Sequence, residues 1–253
     1  TPLSLIMIPL ESLMGTNDVP STLRERIHTA YKNALRMSRL VNELLDFNKL
    51  EAGNLRLNVQ YGELIQFVID TAITFNEMAV KRKITFSVSA DVPQLMGWFD
   101  RDKLERIIFN VLSNAFKFTA DAGEIKLRIS AKHSIIANGS LSQCAELVIE
   151  DNGIGISPEE LPHIFEKFYQ ATSSGKISSP GTGIGLSLTK ALVELHQGTI
   201  SATSIPEKAT IFSILIPVDG HVYQVEDPAP VPAEVASDEH MVDEVENPDE
   251  YAE

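Results

Sequence analysis

Two short glycine clusters constrain the fold of this chain more than any other feature of its sequence. The first, residues 150–156 (EDNGIGI), follows directly on the apolar run 147–149. The second, residues 181–186 (GTGIGL), opens an apolar pattern of helical period. The first cluster is therefore predicted to end a strand and the second to begin a helix. We predict that both clusters face one site.

The residue types in the two clusters suit a nucleotide. Asp151 is an acceptor-only carboxylate at a strand end, which suits the exocyclic amine of a base such as adenine. Gly153 and Gly155 let the backbone approach a flat ring. In residues 181–186, glycines lead into a helix start, where free N–H groups and the helix dipole favour phosphate. Either cluster alone is more often an ordinary turn, so the nucleotide pocket needs further support.

A third element upstream supplies that support. In the helical pattern of residues 106–119, Asn110, Asn114 and Lys117 fall within about 60° of one another, and the apolar residues lie on a different side. Amide oxygens are hard ligands that suit Mg²⁺, and the lysine can meet phosphate charge. The alternative is an ordinary exposed polar face.

Composition narrows the class of protein. The 253 residues suit one or two domains, and the net charge of −14 is concentrated in residues 219–253, which hold 12 acidic residues and no Lys or Arg. We expect no nucleic-acid partner, because no basic stripe is present. We also expect no membrane contact, because no run of 18 apolar residues occurs. With one cysteine and no signal-peptide pattern, a cytoplasmic setting is predicted.

The amino-terminal part is predicted to be a helical hairpin. Apolar residues recur at helical spacing in residues 1–14 and again in residues 22–52, with a turn at 15–20. The second stripe is wide enough for a four-helix bundle, of which one chain supplies only half. A homodimer completes the bundle. The alternative is a hairpin that packs on its own chain.

The middle of the chain is predicted to be an α/β sandwich with helices on one face of a mixed sheet. Residues 157–160 are predicted to start a further helix, and residues 171–180 to form a flexible lid. The tail 219–253 is predicted to be extended or disordered. The predicted strands are 55–59, 84–89, 124–130, 147–151, 199–204 and 210–217, and the predicted helices are 63–82, 102–118 and 183–196.

Four motifs in this order resemble a known family. N-x-x-x-N-A-x-K-F, D-N-G-I-G-I, F-E-K-F-Y and G-T-G-I-G-L look like the N, G1, F and G2 boxes of the catalytic ATP-binding domain of sensor histidine kinases, within the GHKL ATPase superfamily. The resemblance covers nearly all of the first 218 residues. The segment T-P-L-x-L-I-x-x-P-L-E at the start of the hairpin and the segment L-L-D-F-N-K-L-E-A-G at its end are similar to hybrid two-component sensors of Bacteroides type. In those sensors, a tail such as residues 219–253 links to a receiver domain.

The resemblance implies an α+β fold: a helical hairpin, half of a dimeric four-helix bundle, followed by an α/β sandwich of the GHKL (Bergerat) ATPase type. The implied divisions are a dimerisation hairpin at 1–52, an ATP-binding domain at 55–218 and an acidic tail at 219–253. The implied ligands are ATP and Mg²⁺, with the metal held by Asn110 and Asn114. The implied nucleotide-site positions are Asn110, Asn114, Lys117, Asp151, Gly153, Gly155, Phe165, Phe168, Gly181, Thr182, Gly183, Ile184, Gly185, Leu186 and Thr210.

The resemblance further implies transfer of the γ-phosphoryl group of ATP to a hairpin histidine, and relay to an aspartate of a response regulator receiver domain. In the family pattern H-E-x-R-T-P-L, that histidine lies four positions before Thr1, and the six histidines of this chain lack its context. We therefore expect that this chain does not phosphorylate itself. The resemblance also implies that the chain belongs to a membrane-anchored sensor. Thr1 occupies the position that helps to orient water in dephosphorylation of the regulator.

A second departure from the family lies at residues 207–210. A glycine-rich turn, G-x-G-T, is common there, whereas this chain has EKAT, so that only Thr210 matches. Two rival functions stay open: a GHKL ATPase that drives a conformational clamp, and a dimeric ATP-binding scaffold without autokinase activity. A Rossmann dehydrogenase is excluded, because no acidic residue follows the glycines at the required strand position.

Overall fold

The computed structural model describes residues 2–14, 20–51, 55–136, 139–170 and 183–225. Its amino-terminal part is a hairpin of two helices that contact each other, α1 (Pro2–Met14) and α2 (Ser21–Glu51). Pro9 lies inside α1. The hairpin predicted from the apolar periodicity is confirmed. Among the described helices, none is both long enough and apolar enough to cross a bilayer.

The rest of the described chain is built on seven strands and four helices. The strands are β1 (Gln60–Glu63), β2 (Thr85–Ala90), β3 (Met96–Phe99), β4 (Glu124–Ile135), β5 (Leu141–Asp151), β6 (Thr199–Ile205) and β7 (Ala209–Pro217). The helices are α3 (Leu64–Ile73), α4 (Asn76–Arg82), α5 (Arg101–Phe118) and α6 (Gly185–Leu195). Five strands form one sheet in the order β2-β4-β5-β7-β6, and β1 pairs with β3 separately.

The five-stranded sheet is mixed, as predicted. β2 runs parallel to β4, whereas β4, β5, β7 and β6 pair antiparallel. One side of each central strand is apolar and buried because side chains alternate along a strand, and α3, α5 and α6 supply the apolar faces that cover it. The buried rows are Ile125, Leu127 and Ile129 in β4, Leu147 and Ile149 in β5, and Phe212, Ile214 and Ile216 in β7.

The predicted helix 63–82 is two helices. Glu63 caps α3, because its carboxylate accepts the backbone N–H of Ile65 at 3.1 Å. The chain turns after Ile73, and the turn directs Phe75 into the core, where its ring stacks on that of Phe116 at 5.2 Å between centroids. A buried aromatic contact therefore overrides a continuous helical pattern, and α4 begins only at Asn76.

Two further predictions were wrong, and one strand was not predicted. Residues 55–59, all within the described part of the chain, form no strand; β1 begins at Gln60 and pairs with β3, a strand that the sequence analysis missed. β3 contains Gly97 and has no apolar alternation, so its sequence does not indicate a strand. A Cβ at position 97 would lie 2.4 Å from the Cβ of Val218. After Ser157, only the 3₁₀ turn Leu161–His163 forms instead of a helix.

The folded unit extends beyond the boundary predicted at residue 218. Asp219 accepts hydrogen bonds from the hydroxyl of Ser142 at 2.8 Å and from the backbone N–H of Gln143 at 2.7 Å. Val222 is buried, and the Tyr223 hydroxyl donates to the Pro217 carbonyl at 2.7 Å. Residues 219–225 therefore pack on the sheet rather than belonging to an extended tail. The predicted tail from 226, the predicted lid 171–180, and Thr1, Gly181 and Thr182 lie outside the described residues.

Candidate nucleotide-binding site

The helix α5 is fixed firmly at its amino end. Asp100 is its N-cap: the carboxylate accepts the backbone N–H of Lys103 at 3.1 Å and the Lys103 ammonium at 2.6 Å. The backbone N–H of Asn58 donates to the same carboxylate at 2.6 Å. Burial opposes ionisation of Asp100, but the hydrogen bonds from Lys103 and Asn58 outweigh it, so the pKa of Asp100 is lowered.

The predicted polar face of α5 is present. Asn110, Asn114 and Lys117 are half-buried, whereas the other side of the helix is fully packed in the core. The Asn110 side chain donates from Nδ2 to the Oγ1 of Thr189, in α6, at 2.6 Å. The Lys117 ammonium lies 5.0 Å from the centroid of the Phe118 ring. One amide donor of Asn110 thus holds α5 to α6, while its oxygen keeps its capacity as an acceptor.

Asp151 occupies a core position with a polar side chain. It lies in the same alternating row of β5 as Leu147 and Ile149, and its side chain is only 4% exposed. In the sheet it stands between Ile125 of β4 and Thr210 of β7. Burial, and to a smaller extent the charge of Glu150, raises its pKa to about 6, although the N–H of Gly153 donates to it.

The first glycine cluster packs against the carboxyl end of α5. Gly153 donates its N–H to Asp151 Oδ1 at 2.9 Å, and Ile154 donates its N–H to the Phe118 carbonyl at 3.2 Å. A Cβ on Gly153 would lie 2.5 Å from that same carbonyl oxygen. The residue must therefore be glycine because the end of α5 occupies the space of a side chain.

Thr210 is connected to the same cluster through Ser204. The Ser204 hydroxyl oxygen accepts the backbone N–H of Ile156 at 2.8 Å and lies 3.0 Å from Thr210 Oγ1. Gly155 has φ +70°, and a Cβ there would meet the Ile205 carbonyl at 2.4 Å. The structure therefore brings Asp151, Gly153, Gly155 and Thr210 to one place.

The second glycine cluster contacts both the aromatic segment and α5. Gly183, at φ +72°, accepts the backbone N–H of Phe168 at 2.9 Å, and Phe168 is itself left-handed at φ +61° with a side chain 64% exposed. Gly185 begins α6, and a Cβ there would lie 2.5 Å from Asn110 Oδ1. Phe168, Gly183, Gly185 and Asn110 are thus adjacent.

Three predicted positions serve the core instead. Phe165 packs edge-on against Phe212, with 6.4 Å between ring centroids. Ile184 is buried, and Leu186 packs against the same apolar core. These side chains anchor the aromatic segment and the start of α6 to the core.

The two clusters meet different ends of one polar helix face. Asn110 contacts Gly185, and Phe118 contacts Gly153; these two α5 residues are eight positions apart, which is about 12 Å along a helix. Asn114 and Lys117 lie between them. The result is an elongated site with a carboxylate at one end and, at the other end, the glycines that precede α6.

Two residues that build this site were not predicted from the sequence. These are Thr189 and Ser204, and each forms a hydrogen bond with a predicted site residue. A threonine among the apolar residues of α6 was an available signal, because a buried hydroxyl needs a partner. Ser204 carried no such signal, because it lies in a strand of alternating polar residues.

Two family models match the chain. Residues 1–53 match the His Kinase A (phospho-acceptor) domain, and residues 99–220 match the histidine kinase-, DNA gyrase B- and HSP90-like ATPase family. The fold and the site therefore define a helical hairpin followed by an ATPase domain of the GHKL type, as predicted.

Individual relatives agree with this class. The sensor histidine kinase TmoS of Ectopseudomonas mendocina is 36% identical over 222 residues, which are 87% of this chain and 22% of TmoS. The chain thus spans about a fifth of that relative. Full-length ShkA, crystallised with AMPPNP, superimposes with a TM-score of 0.70 at 22% identity, over 86% of this chain and 43% of ShkA.

A further structure shows the same fold: histidine kinase ThkA in complex with the response regulator protein TrrA. It matches with a TM-score of 0.60 at 20% identity, over 87% of this chain and 59% of that chain. The two family models and the match to TmoS confirm the resemblance drawn from the four motifs. The chain therefore contains the two domains of a histidine kinase core.

Proposed function

We propose that this chain is a kinase core that binds Mg²⁺-ATP between the two glycine clusters and α5. The complete protein then transfers the γ-phosphoryl group to a hairpin histidine and relays it to a response regulator aspartate. The observation that carries the proposal is the buried carboxylate of Asp151 at one end of the polar face of α5, with glycine backbone at both ends.

Each end of the site has a separate role. Asp151 selects the base. Its Oδ1 accepts the N–H of Gly153, whereas among the described residues no hydrogen bond is formed to its second carboxylate oxygen. That second oxygen suits the exocyclic amine of adenine. Lys117 and the N–H groups preceding α6 hold the phosphates. Thr210 and Gly155 shape the base end, and Phe168 positions the proposed lid, residues 171–180.

The α5 amides fit a magnesium ion. Asn110 and Asn114 provide neutral oxygen donors on one helix face, and the Nδ2 bond to Thr189 fixes the orientation of the Asn110 amide. When bound, Mg²⁺ would neutralise phosphate charge. The protein's own contribution is then positioning and electrostatics, which dominate phosphoryl transfer, so a pocket without a general base is adequate.

The transfer itself exchanges one bond for another. A nitrogen of the acceptor imidazole forms a bond to the γ-phosphorus, the bond from that phosphorus to the β,γ-bridging oxygen breaks, and ADP leaves. We place the acceptor four positions before Thr1, on the hairpin. Thr1 would then lie one helical turn from it, where it would help to orient the water that hydrolyses the aspartyl phosphate of the response regulator.

The partners follow from the same proposal. The hairpin dimerises with a second copy to complete a four-helix bundle, and a receiver domain docks on it. Formation of a complex between histidine kinase ThkA and the response regulator protein TrrA supports the second partner. The complete protein is a membrane-anchored sensor whose kinase core is cytoplasmic. Residues 1–52 form the dimerisation unit, and the ATP-binding unit runs from residue 55 to at least residue 225.

Calorimetric titration of the chain with ATP and Mg²⁺ tests the site. Asn114→Ala and Asp151→Ala are expected to abolish measurable binding, because one removes a metal ligand and the other removes the acceptor for the base. Glu105→Ala is the matched control; Glu105 is exposed on α5 about 140° around the helix from Asn110 and should bind like the parent.

Retention of parental affinity by either site variant would contradict the proposal. Appreciable turnover of ATP to free phosphate would favour the rival clamp ATPase. Absence of Mg²⁺-dependent binding in the parent chain would favour the scaffold without kinase activity.

A further inference from the structure

Arg82, the last residue of α4, ties down the carboxyl end of α5. Its guanidinium donates to the carbonyl of Phe116, to the carbonyl of Thr119 at 2.7 Å, and to Asp121 Oδ1 at 2.8 Å. Its own carbonyl accepts the backbone N–H of Ala122 at 3.0 Å. One residue therefore binds the last turn of α5 and the loop that follows it.

The chemistry of this contact is specific. The last carbonyls of a helix have no partners within the helix and carry partial negative charge, so a cation there is favourable. A planar guanidinium can donate to two carbonyls at once, whereas an ammonium is a point charge. The Arg82 side chain is 28% exposed and that of Asp121 75% exposed, so the carbonyl bonds are the sheltered part of the contact.

The two carbonyls held by Arg82 flank Phe118. The Phe118 carbonyl is the group that accepts the N–H of Ile154 and lies against Gly153, and Gly153 in turn donates to Asp151. A continuous series of contacts therefore runs from Arg82 through the end of α5 to the carboxylate at the base end of the site. Asn110 and Gly185, at the other end, lie about two helical turns away.

We propose that Arg82 is a positioning residue for the base end of the nucleotide site. It acts through the Phe118 carbonyl, which sets the position of Gly153 and hence of Asp151, and it does not itself touch the nucleotide. The proposal rests on the nucleotide-binding function proposed above. If Arg82 acts in this way, its loss weakens the binding of all adenine nucleotides by the same factor, because the phosphate end of the site keeps its contacts.

The test measures the affinity of the chain for Mg²⁺-ATP and for Mg²⁺-ADP by calorimetry, together with the melting temperature of each variant. Arg82→Gln is expected to lower the affinity for each nucleotide about tenfold and to leave the ratio of the two affinities unchanged. Arg82→Lys keeps the charge but loses the two-carbonyl geometry, so it should restore part of the affinity. Asp121→Asn removes only the exposed ion pair and should bind within about twofold of the parent.

Each other outcome overturns the proposal. Lower melting temperatures with parental affinities would show that Arg82 only caps a helix, and a loss confined to ATP would place its effect at the phosphate end. If Arg82→Gln does not fold, Arg82→Lys decides by the same criteria. If the parent binds neither nucleotide, the proposed function itself fails, whereas parental binding with unaffected variants refutes the role of Arg82 alone.

Discussion

At the scale of single residues, Asp151 is the most informative side chain. Asp151 belongs to the buried row of β5 that also contains Leu147 and Ile149. A carboxylate at such a position lowers the stability of the fold, because burial disfavours its charged form. Within the described residues, no cation pairs with Asp151, and the N–H of Gly153 is its one hydrogen-bond donor. A pKa raised by burial at the end of a strand is typical of a binding group kept ready for a ligand.

The raised pKa predicts a pH dependence of base recognition. The free protein has a pKa of about 6 at Asp151, and the exocyclic amine needs the ionised carboxylate as acceptor. The affinity for the base should therefore reach its maximum above pH 7. It should fall about tenfold by pH 5, where about a tenth of the Asp151 carboxylates remain ionised. Adenosine is the appropriate ligand, because phosphates also titrate near pH 6.

Asp151→Asn provides the control for this titration. It keeps the size of the side chain but removes the ionisation, so its affinity for adenosine should be lower than that of the parent and constant from pH 5 to 7. A parent affinity that does not change over this interval would show that Asp151 does not contact the base.

Glu207 shows what sequence could not settle at this scale. It stands where the family often has glycine, so the resemblance does not predict the geometry of this turn. In the structure the turn forms, with Glu207 at φ +58° and its N–H donating to the Ile154 carbonyl at 2.7 Å. Left-handed backbone is uncommon for a non-glycine residue, and contacts from outside the turn maintain it here.

At the scale of elements, α5 organises the site because each end of its polar face meets one glycine cluster. A side-chain hydrogen bond between Asn110 and Thr189 connects α5 to α6, and Thr189 is only 1% exposed. This bond both packs the two helices and sets the orientation of the amide proposed to hold Mg²⁺. Packing and ligand binding are therefore coupled at this contact.

Replacing Thr189 with valine tests that coupling. Valine keeps the shape but removes the acceptor for Asn110 Nδ2, so the free energy of unfolding should fall by about 1–2 kcal/mol. Affinity for Mg²⁺-ATP should also fall several-fold, while affinity for adenosine, which uses the other end of the site, should not change. Denaturant unfolding and calorimetry measure the two effects.

Thr189→Ser is the matched control, because it keeps the hydroxyl and removes only a methyl group. Its Mg²⁺-ATP affinity should equal that of the parent even if its stability falls by about 1 kcal/mol. Equal affinities in the valine and serine variants would mean that the Asn110 orientation is irrelevant to the metal.

The elements show where sequence patterns succeed. The two hairpin helices and α5 carry long periodic patterns and were predictable within a few residues. β3 was not, because four residues with a glycine and a partner distant in sequence carry no alternation. The break between α3 and α4 was not predictable either, because it is imposed by the packing of Phe75 on Phe116 rather than by any local signal.

At the scale of the molecule, the hairpin and the nucleotide site are neighbours. α2 contacts α6, the helix opened by the second glycine cluster. The described part of the hairpin also exposes a set of large apolar side chains, which fits a second copy in the proposed four-helix bundle. These are Leu5, Ile6, Ile8, Leu13, Leu23, Met37, Val41 and Leu45. The proposed dimerisation surface therefore lies on the same hairpin that contacts α6.

The most direct test of the proposed kinase activity is phosphotransfer in a chain that carries the His-Glu-x-Arg segment of the family pattern ahead of Thr1. After incubation with γ-labelled ATP and Mg²⁺, the account predicts acid-labile label on the protein. That label should be absent when the added histidine is replaced by glutamine and when Asn114 is replaced by alanine. ATP binding without any label on that histidine would contradict the account and leave an ATP-binding scaffold in its place.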